Sequence, residues 1–255
     1  MSPGSDRYRL GAVIGVGGTA EVREAWRVDA PDALPVAVKL ARPEHAGRRD
    51  VREDLRREAD LLATLEHPGI VRALPPAGDD DLAAGYNLAM ELLPGGSLQR
   101  LLGARVALCD AAGLLGDVAD ALGWLHRRGI VHADVKPANL LRDAGGRVKL
   151  IDFEAAATPD APRRRRIVTA YAAPDLALGL APDPRDDVFS LGVVLYQMLA
   201  ARHPFAGDPV PALAAPVRPA GLDDEAWRWL RAAMAPARAD RPRDPVELVR
   251  QACPA

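Results

Sequence analysis

Of the chain's 33 basic residues only Lys39, Lys136 and Lys149 are lysine, and the rest are arginine. An ammonium is a compact point charge and a guanidinium a wide planar fork. In a chain biased toward arginine, a retained lysine marks either a site needing the smaller head or chance. Asparagine is rarer still, at Asn87 and Asn139. Lys136 and Asn139 fall together in Val131-His132-Ala133-Asp134-Val135-Lys136-Pro137-Ala138-Asn139, which makes that segment the first candidate for chemistry. The second is Ile14-Gly15-Val16-Gly17-Gly18-Thr19-Ala20-Glu21-Val22, whose glycines let backbone amides approach phosphates closely. Alone, that run reads equally as a hairpin turn; a dinucleotide-binding unit would place a helix after it, and here a strand pattern follows. Lys39 ends the β-type run Val36-Ala37-Val38-Lys39, where a surface lysine is the ordinary reading.

The elements that must position these residues follow from periodicity. Short β-type runs cover Tyr8 to Val16, Ala20 to Val28, Leu34 to Leu40, Ile70 to Pro75 and Tyr86 to Glu91. One helix interrupts them, roughly Arg48 to Leu65, with Val51, Leu55, Leu62 and Leu65 on its apolar stripe. Glu58 completes that stripe, and a carboxylate there is costly unless it is paired or reaches solvent at the edge. After Leu92-Leu93-Pro94-Gly95-Gly96 the pattern turns helical. Ala111, Leu114, Leu115, Val118, Leu122 and Leu125 mark an amphipathic helix with Asp110 as its expected N-cap. Val148 to Ile151 is a short β run before Asp152. Residues 188 to 201 are apolar nearly all round, which predicts a buried helix opened by Asp186 and Asp187, and helices follow near 224 to 234 and 245 to 252. This organisation predicts a small β-rich lobe (1–91), a Pro-Gly-Gly hinge (92–96) and a larger helical lobe (97–255), with a cleft between the lobes.

Composition bounds the function. A length of 255 residues with 49% hydrophobic content suits one large domain or two packed lobes and is too apolar for disorder. A formal net charge of −2 supplies no basic field, so nucleic acid is not an expected partner. The longest apolar run falls short of the roughly 20 residues that a spanning helix needs, and the N-terminus has no apolar core of a signal peptide. Cys109 and Cys253 form no disulfide framework or metal spacing, which is compatible with a reducing cytoplasm. The expectation is a soluble cytoplasmic protein without a membrane anchor.

Taken in order, the pieces resemble the eukaryotic-like (Hanks-type) Ser/Thr protein kinases, and the Gly-Gly-Thr-Ala-Glu-Val wording is most similar to the bacterial members. The resemblance rests on the Gly-rich loop, Lys39, Glu58, His132-x-Asp134-x-Lys136-x-x-Asn139 and Asp152-Phe153. It extends through His67-Pro68, Ala173-Pro174-Asp175 and Asp187-Val188-Phe189-Ser190-Leu191-Gly192, and covers about Tyr8 to Val249. It implies an α+β, two-lobed kinase-like fold forming a single catalytic domain over 1–255. It further implies ATP as cofactor with magnesium (manganese as an alternative) and a protein hydroxyl as substrate.

Roles carry over position by position. Lys39 would hold the α- and β-phosphates and pair with Glu58. Gly15, Gly17, Gly18 and Val22 would cover the nucleotide, with Ala37 and Met90 around the adenine and Glu91 and Leu93 offering it backbone groups. Asp134 would accept or orient the substrate hydroxyl proton, and Lys136 would neutralise the transferring phosphoryl group. Asn139 and Asp152 would coordinate the metal. His132 reads as a packing residue, and Asp187 as an acceptor for backbone amides of the catalytic loop. A homodimer through the small lobe is known among bacterial relatives, and nothing in the sequence demonstrates one.

The departures matter. Glu154 stands where the family has glycine after Asp-Phe, so a Cβ restricts the backbone and a carboxylate lies near the metal site. Ala133 replaces the arginine that binds a phosphorylated activation loop, which argues against loop phosphorylation as the on-switch. Val168 holds the place of a threonine that normally bonds the catalytic pair, with Thr169 one position late. Asp175 is a shorter acid than the family's glutamate, and Arg241 is its expected partner. The run Arg163 to Arg166 reads as a solvated loop or as an anion-binding patch. Two classes of function stand beside an active protein kinase. One is a pseudokinase, a nucleotide-binding or scaffolding module, motivated by Glu154, Ala133 and Val168. The other is a small-molecule phosphotransferase, against which Lys136, Ala173-Pro174-Asp175 and Arg241 weigh.

Overall fold

The structure, a computed structural model, describes residues 8–30, 32–74, 88–158, 169–205 and 216–252. The chain divides into two compact units, Met1–Pro94 and Gly95–Ala255. The Arg163 to Arg166 run and Val168 lie outside the described residues.

The first unit is a four-stranded antiparallel sheet in the order β1 (Tyr8–Val16), β2 (Ala20–Arg27), β3 (Val36–Ala41) and β4 (Leu88–Glu91). Alternating residues put Tyr8, Ala25, Val36, Val38 and Ala89 into one buried cluster, with Leu10, Leu40 and Leu74 packed against it. Helix α1 (Arg49–Leu62) buries Val51, Leu55, Glu58 and Leu62, and the first two pack on Ala20. The run from Ile70 makes no strand among the described residues. It touches the sheet at the isolated bridge Ala73↔Met90, through Leu74 N to Ala89 O at 2.9 Å and Glu91 N to Arg72 O at 3.0 Å. Pro75, the last residue of that run, lies outside the described residues.

The second unit is built around helices. In chain order these are α2 (Leu108–His126), the short α3 (Pro174–Ala177), α4 (Pro184–Ala200), α5 (Asp224–Ala233) and α6 (Pro245–Ala252). A two-stranded ribbon, β5 (Leu140–Arg142) with β6 (Val148–Leu150), pairs Leu140 with Leu150. Helix α4 is the core of the unit: from Asp186 to Leu195 every residue is buried, as its nearly continuous apolar sequence requires. Its start is fixed by a capping box in which Asp183 accepts from Arg185 N at 2.9 Å and Asp186 accepts from Asp183 N at 2.9 Å. Gly192 is needed because a Cβ there would lie 3.0 Å from Ala233 Cβ, so α4 and α5 meet at close range. The α2 N-cap is Ala107 and not Asp110, which sits in the first turn, where its charge still complements the helix dipole. Among the described residues no helix is long and apolar enough to cross a membrane. Cys109, at the start of α2, is disulfide-bonded, which the absence of a framework spacing did not anticipate.

Candidate active site

In the first unit the local sequence builds a glycine turn beside Lys39. β1 and β2 meet with Gly15 opposite Val22, and Val22 lies opposite Lys39 across β2 and β3. The turn is closed by Gly17 N donating to Ala20 O at 2.8 Å. Gly17 and Gly18 are exposed, and a Cβ built on Gly18 would meet nothing within 4 Å. Neither has positive φ, so no left-handed turn demands glycine there. What a side chain would remove is the open approach to the backbone amides.

Lys39 Nζ donates to Glu58 Oε2 at 2.7 Å, and both residues are buried, Lys39 at 8% and Glu58 at 2% exposure. The carboxylate on the apolar stripe of α1 is therefore paired, which removes most of the penalty for burying it. Ala37 lies opposite Met90 in the β3–β4 register. The Glu91 N–H is spent on the Arg72 carbonyl, so the group it has for a ligand is its carbonyl oxygen. Leu93 makes no backbone hydrogen bond among the described residues.

In the second unit the loop from Val131 to Asn139 gathers its own chemistry. Lys136 Nζ donates to Asp134 Oδ2 at 2.6 Å, and Asn139 Nδ2 donates to the same oxygen at 3.0 Å and to Asp134 O at 2.9 Å. Asp134 Oδ1 is buried with no hydrogen-bond partner. A buried carboxylate oxygen left open costs on the order of 1–3 kcal/mol, and no donor among the described residues meets it. Both amide hydrogens of Asn139 point at Asp134, leaving Oδ1 as the outward atom. Ile151 N donates to Asn139 O at 3.0 Å, which ties Asp152 beside that amide.

Two hard oxygen donors, one amide and one carboxylate, fit magnesium, which binds through few protein ligands and fills the rest with phosphate and water. No cluster of three or more His, Cys, Asp or Glu occurs among the described residues, so this pair is no all-protein cage. Asp152 and Ala133 both adopt left-handed backbone, each with φ of 64°. Such conformations cost roughly 1–3 kcal/mol and persist where surroundings over-determine them.

For Ala133 the over-determining group is Asp187. Its Oδ1 accepts from Ala133 N at 2.8 Å, and its Oδ2 accepts from His132 N at 2.9 Å and lies 2.8 Å from His126 Nε2. His132 is fully buried, bonds Ile151 O through Nε2 at 3.0 Å, accepts from Asp134 N at 3.2 Å and packs edge-on to Phe153 with centroids 4.8 Å apart. It is a packing and bridging residue. His126, at the end of α2, escaped sequence reasoning because no local pattern links it to a residue 61 positions away.

The departures resolve individually. Glu154 is half-buried and has no positive φ, so the backbone at this position does not require glycine. Among the described residues it is Lys136 and Asn139, not Thr169, that hold the Asp134 carboxylate. Asp175, although short, meets Arg241 Nη2 at 2.6 Å. Arg241 also reaches Asp186 Oδ1 at 3.0 Å, and Arg238 Nη2 reaches Asp186 Oδ2 at 2.8 Å. Burial pushes the Asp186 carboxyl up to about 6 even though Arg238 and Arg241 pull it down. Sequence reasoning found the first of these pairs and missed Asp186 and Arg238.

Comparison with known proteins agrees with this geometry. A family model described as protein kinase domain matches residues 8–216. A probable serine/threonine-protein kinase, SCO3848, of Streptomyces coelicolor is 36% identical over 219 residues, covering 82% of this chain and 32% of that protein. Serine/threonine-protein kinase PknB of Mycobacterium leprae is 37% identical over 214 residues, covering 80% of this chain and 34% of its own. Serine/threonine-protein kinase PknA of Mycobacterium tuberculosis is 38% identical over 215 residues, with 80% and 49% covered. The chain thus spans between about a third and a half of the length of these curated relatives.

Proposed function

This chain belongs to the protein kinase family, and from that premise we propose that it is an active kinase transferring the γ-phosphoryl group of ATP to a Ser or Thr hydroxyl of a protein. The observation that carries the reading is the unpartnered, buried Asp134 Oδ1, whose sister oxygen is fixed by Lys136 and Asn139. A substrate hydroxyl would donate to Oδ1 and so be oriented for attack, with Asp134 accepting its proton as the bond to phosphorus forms. Lys136, held 2.6 Å from that carboxylate, would neutralise charge on the phosphoryl oxygens. Lys39, oriented by Glu58, would bind the α- and β-phosphates, and the amide of Gly18 would approach them from the open face of the turn, the Gly17 amide being held by Ala20 O. Glu91 O and Leu93 N–H would bond the adenine edge, with Ala37, Met90 and Val22 as apolar contacts. Magnesium, held by Asn139 Oδ1 and Asp152, supplies charge neutralisation on the phosphates when bound. ATP as donor puts the reaction in the cytoplasm.

The test is transfer of labelled γ-phosphate to the protein itself and to a generic basic protein, with magnesium or manganese, beside Asp134→Asn. Transfer that disappears in the variant supports the reading. Measurable ATP binding with no transfer under either metal overturns it in favour of a nucleotide-binding pseudokinase.

A further inference from the structure

Cys109, in the first turn of α2, is disulfide-bonded and exposed. The chain holds two cysteines, and the other is Cys253, the residue that follows the end of α6. Cys253 itself lies outside the described residues, so the pairing follows from the cysteine count: within one chain Cys109 has no other partner. Neither cysteine has a role in the transfer reading.

Helix α6 shows what such a bond holds. It packs on α2, α4 and α5 and buries Leu248 and Val249. Its start lies beside the far end of α2, where a Cβ built on Gly123 would stand 3.9 Å from Pro245 Cγ and 3.7 Å from Val246 Cγ2. About one turn beyond Gly123 is His126, which bonds Asp187, the acceptor for the catalytic-loop amides. Just before α6 comes Arg241, which joins Asp175 and Asp186. Packing fixes the start of α6, and the covalent bond fixes its end.

We propose that Cys109 and Cys253 form a reversible redox staple: oxidised, the bond closes the chain from 109 to 253 and ties the end of α6 to the start of α2; reduced, it releases that end. The closed ring contains Asp134, Lys136, Asn139, Asp152 and Asp187, so the catalytic loop and its support lie inside it. Closing so long a loop removes conformations from the unfolded chain, which makes the oxidised form the more stable. Cleavage lowers stability and leaves the transfer residues themselves untouched.

The reductant is a small thiol. Its thiolate attacks one sulfur, the S–S bond breaks, and the other cysteine leaves as a thiolate. A second molecule of the thiol then displaces the first cysteine from the mixed disulfide. Two electrons pass to the protein, the two cysteines end as thiols, and the reductant leaves as its own disulfide. The reverse exchange, with that disulfide as oxidant, closes the staple. Exposure of Cys109 gives the attacking thiolate its access. Exposed disulfides in a reducing compartment are the labile, sensing kind.

The experiment treats the full chain with oxidised glutathione and maps its peptides by mass without reductant. Expected is Cys109 joined to Cys253, with no thiol titrating in denaturant. Excess reduced glutathione should then free both thiols and lower Tm by about 5–10 °C. Hydrogen exchange of the peptide spanning 245–252 should quicken roughly tenfold on reduction. Cys253→Ser should match reduced wild type from the start and show no response to reductant. Two free thiols after oxidation, glutathione adducts in place of the bond, or a bond between two copies each overturn the proposal. A bond that survives reduced glutathione is structural and overturns the switch. An unchanged Tm with both thiols freed overturns the staple, and the wild-type comparison decides alone if the variant fails to fold. None of these readouts involves phosphoryl transfer, so failure of the kinase reading leaves the staple to be decided on its own.

Discussion

Lys136 Nζ stands 2.6 Å from Asp134 Oδ2, while Asp134 Oδ1 is buried without a partner among the described residues. One oxygen is thus committed to holding the side chain and the other is free for chemistry. Asp134→Asn should lower phosphoryl transfer by about 10²–10⁴-fold while nucleotide affinity stays close to wild type. Single-turnover transfer and ATP titration check this, and undiminished transfer would remove Asp134 from its assigned role.

Lys39 and Glu58 form a buried pair 2.7 Å apart. Glu58→Gln removes the buried carboxylate that Lys39 Nζ meets, and breaking a buried pair in this way should cost about 3–5 kcal/mol of stability. Lys39→Met with Glu58→Leu should recover much of that stability and none of the transfer. Urea unfolding of the two single variants and the double gives the coupling. A double variant no more stable than the singles would mean the pair is a net stabiliser.

Asp187 accepts two backbone N–H groups of the catalytic loop and bonds His126, so Asp187→Asn would present an amide hydrogen to groups that already donate. We expect kcat to fall by more than tenfold through misplacement of Asp134, with ATP affinity little changed, since no nucleotide contact is assigned to Asp187. Equal losses in both would instead point to general unfolding.

Arg238 partners Asp186 at 2.8 Å inside a cluster that also holds Arg241 and Asp175. Asp186 titrates near about 6 because burial outweighs its arginines. Arg238→Ala removes one downward pull and raises that value further. A protonated Asp186 needs no counter-charge, so the Tm deficit of the variant should be small in acid and grow toward neutral pH. Melts on either side of pH 6 decide it; a deficit independent of pH would show that Arg238 acts through packing alone.

Much of this was readable in advance. Asp134, Lys136 and Asn139 lie within one short loop and stay together in any fold of it, and Glu58 on an apolar helix stripe calls for a partner, which Lys39 supplies; the roles of these residues and of Asp152 came from the family resemblance and not from spacing. The strands β1 to β4 follow from alternation and α4 from its unbroken apolar run. The errors were also local. Asp110 has a capping side chain but lies inside the helix, and the run from Ile70 has a β-type composition but forms isolated bridges and no strand among the described residues.

What the tertiary structure alone decided is which distant side chain meets which. Asp187 finds the Ala133 amide 54 residues away, Arg241 joins Asp175 at 66 and Asp186 at 55, and His203 finds Ala170 at 33. Hydrophobic patterning says which face of an element is buried but carries no information on its partner. Those partners are selected by packing around α4, whose buried polar positions must each be satisfied by whatever group the fold delivers. The sequence by itself determined the chemistry available to this protein; the folded core determined where that chemistry is held still.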